Sequence, residues 1–248
     1  MAMEVEALGQ HISRSFNEDL ERMRNSVMNM GGLVEEQFDR ALQALTEADS
    51  ELGLQVARDD VKVNQMEVAI DEECSRILAT RAPAAGDLRL IIATIKTITD
   101  LERMGDEAEK IGALAARLAV MERPSTNYRA LRNLARHVKK MIHGALDAFA
   151  RLDTQQALEI VRADGEVDEE YETIYRQSIT FMMEDPRTIS RAMDVAWTAR
   201  ALERIGDHAK NICEYVIFMA HGKDIRHSDL NHVEAEVIQA AHQEGTSP

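Results

Sequence analysis

The feature that most constrains the fold is an internal repeat. The segment 100–111 (Asp-Leu-Glu-Arg-Met-Gly-Asp-Glu-Ala-Glu-Lys-Ile) reappears as segment 201–212, at an offset of 101 positions, with seven of its twelve residues identical. Between residues 34 and 64 the two halves align instead at an offset of 104. The first copy is therefore three residues longer, and the loop-forming residues 82–86 are the natural place for the insertion. Two collinear registers predict two copies of one structural unit.

Each copy is predicted to form three helices. Apolar residues recur every three or four positions, as on one face of an amphipathic helix; in the first copy such a stripe runs from Val27 to Leu45. Helix formers dominate the chain, which has only 12 Gly and 4 Pro. We therefore predict an all-α fold of two tandem antiparallel three-helix bundles. Five of the helices are expected to begin at or near Asp49, Asp87, Asn127, Asp153 and Asp185.

The boundary between the copies is predicted from helix breakers. Arg-Pro-Ser-Thr at 123–126 separates the two repeats near the middle of the chain. We expect a first repeat over residues 1–123, a second over 127–222 and a polar tail over 223–248. The long helices have apolar flanks, and such bundles often bury a further seam by self-association, so a homodimer is expected.

The charge of the chain excludes some classes of partner, and its apolar runs and cysteines indicate its compartment. Asp and Glu number 44 against 29 Lys and Arg, a formal charge of −15, so nucleic acid and anionic lipid are repelled. The N-terminus lacks a basic start with an apolar run, and no stretch approaches 18 uninterrupted apolar residues. Cys74 and Cys213 form no CxxC pair, and we expect them to be buried, unpaired thiols. These features predict a cytoplasmic protein.

A pair of carboxylates occupies the same place in both copies. Glu102 and Asp106 in the first copy, and Glu203 and Asp207 in the second, are one helical turn apart. Like charges at this spacing destabilise an isolated helix by about 0.2–0.5 kcal/mol. A repeated cost of this kind suggests a positively charged ligand.

The preceding helix of each copy offers further oxygen ligands. Asp164 and Asp168 have the same spacing, and their counterparts in the first copy are Asp60 and Asn64. All-oxygen ligands favour Mg, Mn, Ca or Fe over Zn or Cu. Because Asn64 replaces an acid, the spacing predicts weaker metal binding in the first copy. The alternative is a solvated acidic face that Arg103 and Arg204 neutralise in ion pairs.

Enzymatic motifs are missing from the sequence. A ferritin-like di-iron oxidase needs Glu-x-x-His on two helices, and the chain contains no Glu-x-x-His. It also lacks a Gly-rich phosphate loop and a GxSxG motif. We therefore expect no enzyme and no organic cofactor. A regulatory adaptor is the leading interpretation, with a di-iron metalloenzyme and a structural helical scaffold as alternatives.

The two Leu-Glu-Arg-(Met/Ile)-Gly-Asp motifs, at 101–106 and 202–207, resemble those of the PhoU family of bacterial phosphate-signalling regulators. The resemblance extends from about His11 to His227. It is supported by the segments Met28–Gly32, Val63–Asp71, Asp87–Leu90, Asp147–Arg151, Met182–Asp185 and Asn211–Glu214.

This resemblance implies a regulatory role. It implies homodimers of two three-helix bundles that couple the cytoplasmic side of the high-affinity phosphate ABC transporter to the sensor histidine kinase of the phosphate two-component system. It also implies repression of the phosphate-starvation genes when phosphate is abundant, restraint of uptake, and contact with the membrane only through partners. The family's E(D)-x-x-x-D motif implies a divalent metal (Mn, Mg or Fe) at residues from the following set: Glu102, Asp106, Glu203, Asp207, Asp164, Asp168, Asp60, Asn64 and Asp100.

Overall fold

The computed structural model describes residues 14–121 and 125–225, and in these two ranges every regular element is a helix. The predicted all-α fold is confirmed. A 3₁₀ turn at Pro186–Thr188 precedes the last helix. The α-helices are α1 (Arg14–Glu47), α2 (Ser50–Asp59), α3 (Val61–Arg81), α4 (Ala85–Ala119), α5 (Ser125–Arg151), α6 (Thr154–Glu184) and α7 (Ile189–His221).

The helices form the two predicted three-helix bundles. The first contains α1, the broken helix α2–α3, and α4; the second contains α5, α6 and α7. The break between α2 and α3 lies at Asp60, whose carbonyl oxygen accepts a hydrogen bond from the Val63 amide three residues later, at 2.9 Å. The aligned helix α6 is continuous through Asp164. One hydrophobic core runs through both bundles.

Three of the predicted helix starts are confirmed by side-chain caps. The Asp49 carboxylate accepts a hydrogen bond from the Leu52 amide at the start of α2. The Asp153 carboxylate accepts two amide hydrogen bonds at the start of α6. Asp185 caps the 3₁₀ turn, with Pro186 in the first position.

The expectation that Asp87 is the N-cap of α4 is wrong, although the helix begins near it. α4 begins at Ala85, after the extended residue Ala84, and no side chain caps it. α3 is followed by a left-handed residue, Ala82, where the chain reverses direction, and α4 then begins three residues earlier than a cap at Asp87 would allow. Asp87 is instead buried in the first turn, where a carboxylate interacts favourably with the helix dipole. α5 likewise begins at Ser125, two residues before the predicted Asn127.

Helices α4 and α7 join the two bundles as an antiparallel pair. Lys96 Nζ lies 5.8 Å from the centre of the Phe218 ring, and Arg117 Cζ lies 5.8 Å from the centre of the Trp197 ring. Lys96 aligns with Trp197, and Arg117 aligns with Phe218, so the repeats exchange the roles of cation and aromatic ring. The two copies are thus related by an approximate twofold rotation.

The remaining sequence predictions concern boundaries, thiols and membrane spans. Cys74 and Cys213 are free and buried, as predicted, and burial raises the pKa of the Cys74 thiol to about 12. Within the described residues, no helix combines the length and apolarity that crossing a bilayer requires. The predicted boundaries at 1–123, 127–222 and 223–248 fall partly on residues outside the described ranges, and they stay predictions.

Candidate metal centre

Three carboxylates of the first repeat converge on one point. Asp60 lies at the junction of α2 and α3, and Asp106 and Glu109 lie one turn apart on α4. One carboxylate oxygen from each lies within 4.8 Å of the other two. Among residues 14–121 and 125–225 this is the one such group that His, Cys, Asp or Glu side chains form. We call these three residues the first-repeat cluster.

The surroundings of Asp60 explain its position. Gln37 on α1 donates a hydrogen bond from Nε2 to Asp60 Oδ1, at 3.0 Å. Gly105, inside the repeated motif, lets α4 approach closely, because a Cβ at this position would lie only 2.9 Å from Asp60 Oδ1. Helices α1 and α4 and the α2–α3 junction therefore fix one carboxylate.

Two further buried oxygens, one on α1 and one on the first turn of α3, have no hydrogen-bond donor within the described part of the chain. They are Gln37 Oε1 and Asn64 Oδ1, and both atoms are buried. Gln37 Oε1 lies beside Asp60, since the same Cβ at Gly105 would be 3.4 Å from it. A buried oxygen without a donor is costly unless a cation or a water satisfies it. The first-repeat cluster thus offers the oxygen-only donors that hard divalent cations prefer.

The electrostatics of the first-repeat cluster also favour a cation. Burial raises the pKa of Asp106, and the nearby charge of Asp60 raises it further. Burial and the charges of Asp60 and Asp106 raise the pKa of Glu109 in the same way. The charge of Lys110 lowers the pKa of Asp106 and Glu109, but its ammonium binds the Glu107 carboxylate at 3.0 Å instead. The cluster therefore carries negative charge that no cationic side chain pairs directly among the contacts described.

The second repeat places a lysine where the first has its third carboxylate. Lys210 aligns with Glu109 at the offset of 101, and its Nζ lies 2.6 Å from Asp164 Oδ2. Arg200 forms an ion pair with Glu203. The predicted ligands Asp164, Asp168, Glu203 and Asp207, together with Lys210, are called the second-repeat cluster.

The carboxylates of the second-repeat cluster also repel one another. Burial raises the pKa of Glu203 to about 7, with a further contribution from the charge of Asp207. Burial and the charges of Asp164 and Asp168 raise the pKa of Asp207. Burial alone would lower the pKa of Lys210, but its hydrogen bond and attraction to Asp164 outweigh that effect and raise it. The ammonium of Lys210 is therefore held in its charged form inside the cluster.

The structure separates the predicted ligands into different environments. Asp60 and Asp106 meet as predicted, whereas Glu102, one turn before Asp106, is outside the group of three. Asp100 is buried between α4 and α7, where it accepts hydrogen bonds from His208 and Asn211 at 2.7 and 3.0 Å. The Asp100 carboxylate thus contributes to the contact between the bundles.

Sequence reasoning did not single out Glu109, Gln37 or Lys210. Glu109 follows Asp106 by three residues, a spacing that also places two side chains on one helix face. Of the arginines considered as neutralising groups, Arg204 binds the buried Glu107 at 2.7 Å. Arg200, one turn before it on α7, pairs with the predicted ligand Glu203.

A comparison with known families decides which family the repeat represents. The PhoU domain model matches residues 27–115 and again 131–216, once within each repeat. The chain belongs to the PhoU family. The phosphate-specific transport system accessory protein PhoU homolog of Pseudomonas putida is 51% identical over 232 residues, covering 94% of this chain and 91% of that protein. The corresponding protein of Escherichia coli K12 is 47% identical over 224 residues, covering 89% and 91%.

Solved PhoU structures share the fold. The crystal structure of PhoU from Pseudomonas aeruginosa superposes with a TM-score of 0.81 at 50% identity, covering 84% of this chain and all of that one. The regulatory protein PhoU from Streptococcus pneumoniae superposes with a TM-score of 0.78 at 28% identity. The matched relatives are named as accessory and regulatory proteins, and the prediction that the chain is not an enzyme is confirmed. The di-iron enzyme alternative is therefore set aside.

Proposed function

We propose that this protein is a cytoplasmic negative regulator of the phosphate-starvation response. In this proposal it couples the high-affinity phosphate ABC transporter to a sensor histidine kinase and restrains phosphate uptake. The observation that carries the proposal is the match to phosphate-specific transport system accessory proteins over about nine tenths of both chains. The architecture supports it, because helices of up to 35 residues give the extended, rigid surfaces that an adaptor needs.

The experiment that tests the regulatory role is deletion of the gene in the source cell. Expression of the phosphate-starvation genes is then measured in abundant phosphate, with the deletion strain carrying the intact gene as the control. The expected result is high expression in the deletion strain and normal repression in the complemented strain. Normal repression in the deletion strain contradicts the proposal.

We also propose that the protein works with a divalent metal, Mn, Mg or Fe, in the first repeat. The observation that supports it is the first-repeat cluster, with three carboxylate oxygens within 4.8 Å and the buried Gln37 Oε1 beside them. Asp60, Asp106 and Glu109 would hold the metal, and Asn64 and Gln37 offer neutral oxygens. When bound, the metal supplies positive charge that offsets the repulsion among these carboxylates. It also links the α2–α3 junction to α4.

The metal proposal and the regulatory proposal are separable. A strain that expresses Glu109→Lys tests whether the metal is needed for regulation, since a lysine at this position replaces the third carboxylate with a positive charge. We expect impaired repression with a normal protein level. Full repression in a strain whose variant protein binds no Mn²⁺ would contradict a role of the metal in regulation and leave the adaptor assignment standing.

A further inference from the structure

Helix α5 carries a net positive charge on a chain that is strongly negative. Between Ser125 and Arg151 it contains six Lys or Arg residues and a single acid, Asp147. Each of the other six described α-helices has at least as many Asp and Glu as Lys and Arg, and the whole chain has a formal charge of −15. Among the described helices, a net positive charge is therefore confined to α5.

Four of these cations form a stripe along the exposed side of α5. Arg129, Arg132, Arg136 and Lys140 are three or four positions apart, so they share one face of the helix and span about 17 Å. All four are exposed, and we call them the α5 basic stripe. Every exposed side chain between positions 129 and 143 is polar. The stripe therefore lacks the apolar centre that protein–protein interfaces bury.

The α5 basic stripe has no carboxylate partner within the two described ranges. The hydrogen bonds that its side chains donate go to neutral oxygens of α5 itself. Acids of the neighbouring helix α1 bind other residues of α5, with Lys139 2.7 Å from Asp39 and His143 3.1 Å from Glu35. The four charges of the stripe are thus not offset by a directly bonded acid.

The first repeat shows that the three-helix scaffold does not need this stripe. At the offset of 104, the positions of the stripe align with Asn25, Met28, Gly32 and Glu36 on α1. None of these residues is cationic, yet α1 packs into its bundle in the same way. The cations of the stripe therefore serve no contact that the repeated fold requires, and they are available to a partner outside the chain.

We propose that the α5 basic stripe binds the anionic headgroups of a lipid bilayer. A bilayer presents many negative groups in one plane, so a row of long cationic side chains can bind it without a fitted pocket. The net charge of the chain does not prevent this contact, because exposed acids farther than about 8 Å away are largely screened at physiological ionic strength. The overall repulsion of anionic lipid therefore has a local exception at α5.

The polar composition of the stripe favours a bilayer over an acidic protein, which would bury apolar or aromatic residues at the centre of its interface. The choice of a bilayer over nucleic acid rests on the proposed function, since an ABC transporter lies in a membrane. The contact would be direct, whereas the family resemblance implies membrane contact only through partners.

Co-sedimentation with lipid vesicles tests the proposal on the purified full-length protein. Vesicles of equal parts phosphatidylcholine and phosphatidylglycerol are compared with vesicles of phosphatidylcholine alone. A chelator is present, so that no divalent cation bridges the lipid to an acid of the protein. We expect binding to the anionic vesicles only, and a decrease in binding as the salt concentration rises. No binding to the anionic vesicles, or equal binding to both kinds, overturns the proposal.

Two variants that lose the same number of charges locate the contact. The stripe variant has Gln at all four positions of the α5 basic stripe. The control variant carries Arg14→Gln, Arg162→Gln, Arg176→Gln and Arg187→Gln, which are exposed positions on other elements. Each basic residue near an anionic bilayer strengthens binding about fivefold, so we expect the stripe variant to bind at least about thirtyfold more weakly and the control variant to stay within about threefold of the parent. Equal losses in the two variants overturn the proposal.

A third variant, with Lys at the three arginine positions of the stripe, separates loss of charge from loss of structure. It keeps the charge, so its binding should stay within about threefold of the parent, and circular dichroism checks the helicity of all variants. A loss as large as that of the stripe variant overturns the proposal.

Other anionic partners are tested by binding the parent to duplex DNA and to polyglutamate at the same concentration of negative charge. Tighter binding to either one than to the anionic vesicles overturns the choice of a bilayer. If gene deletion leaves repression normal while vesicle binding still depends on the stripe, the regulatory proposal fails and this one stands.

Discussion

The two carboxylate clusters lie on the same scaffold, but only the second contains a cationic side chain that offsets its negative charge. In both repeats, an aspartate of the second helix faces an aspartate of the repeated motif, in the pairs Asp60 with Asp106 and Asp164 with Asp207. One turn later the first repeat has Glu109, and the second has Lys210 bonded to Asp164. One copy therefore supplies its own cation, and we propose that the carboxylates of the other attract one from solution.

The helices around the first-repeat cluster are also more polar and less regular than those around the second-repeat cluster. Gln37, which donates a hydrogen bond to Asp60, aligns with the apolar Met141 in the second repeat. The first repeat breaks its second helix at Asp60, whereas α6 passes through Asp164 without a break. A polar side chain and a helix junction thus lie beside the first-repeat cluster, which contains no lysine. This comparison favours tighter metal binding in the first repeat, the reverse of the order that Asn64 predicts.

The largest expected effect comes from exchanging the two charges. Glu109→Lys should weaken the tighter Mn²⁺ binding by at least about a hundredfold, because it changes the local charge by two units within a few ångströms of the ion. Lys210→Glu should create a second binding event. Isothermal titration of the purified full-length protein with Mn²⁺ measures both, and circular dichroism checks that helicity is retained. Titration curves like that of the parent for both variants would remove the proposed difference between the repeats.

The second-largest effect tests whether Lys210 stabilises the second repeat by pairing with a buried carboxylate. Lys210→Met leaves Asp164 buried without its ion-pair partner, and we expect it to lower the free energy of unfolding by about 2 kcal/mol. Glu109→Met, measured in the presence of a chelator, should instead be neutral or stabilising because it removes a repelling carboxylate. Urea unfolding followed by circular dichroism compares the two. A loss of stability that is equal in both variants would show that Lys210 has no special role.

A smaller effect is expected in the pH dependence of stability. The pKa of Glu203 rises from 4.5 to about 7 on folding, so the folded state holds this proton more tightly than the unfolded state. The free energy of unfolding should therefore fall as the pH rises from 4.5 to 7, and Glu203→Gln should remove about 1–2 kcal/mol of that fall. Urea unfolding at several pH values in a chelator tests this. Parallel stability curves for parent and variant would contradict the raised pKa.

The smallest effect concerns the glycine of the motif. Gly105→Ala should push Asp60 away and weaken Mn²⁺ binding by about three- to tenfold, because the added Cβ would lie 2.9 Å from Asp60 Oδ1. At the aligned Gly206, a Cβ would meet Val167 Cγ1 at 3.3 Å and Met141 Sδ at 3.6 Å. Gly206→Ala is therefore expected to leave Mn²⁺ binding unchanged. Equal effects of the two substitutions would show that the approach of α4 to Asp60 does not control the cluster.

Much of the fold was accessible from the sequence because the repeat is strong. Two offsets, together with the spacing of apolar residues, predict the helices, and the caps Asp49 and Asp153 are read from local chemistry. The start of α4 was misplaced at Asp87, because an extended Ala84 and a left-handed Ala82 leave no polar signature in the sequence. Backbone-driven helix starts are harder to recognise than side-chain caps.

The candidate metal centre was predicted only in part. The i,i+4 rule finds Asp106, and the offset of 104 finds Asp60, since both follow from helix geometry and alignment. Counting acids cannot reveal that Lys210 occupies the second-repeat cluster, because the ion pair with Asp164 joins residues 46 positions apart on different helices. The role of Gln37 cannot be predicted from the sequence for the same reason, because it contacts Asp60 from another helix, α1. Ligands contributed across helices require the tertiary structure.

The central claim is that metal binds in the first repeat and that Lys210 takes its place in the second. Anomalous diffraction from crystals grown with one equivalent of Mn²⁺ tests it most directly, because the signal locates the ion without reference to affinity. The account predicts one anomalous peak within bonding distance of Asp60, Asp106 and Glu109, with Lys210 still bonded to Asp164. A peak at Asp164, Asp168, Glu203 and Asp207, or no peak at the first-repeat cluster, would contradict it.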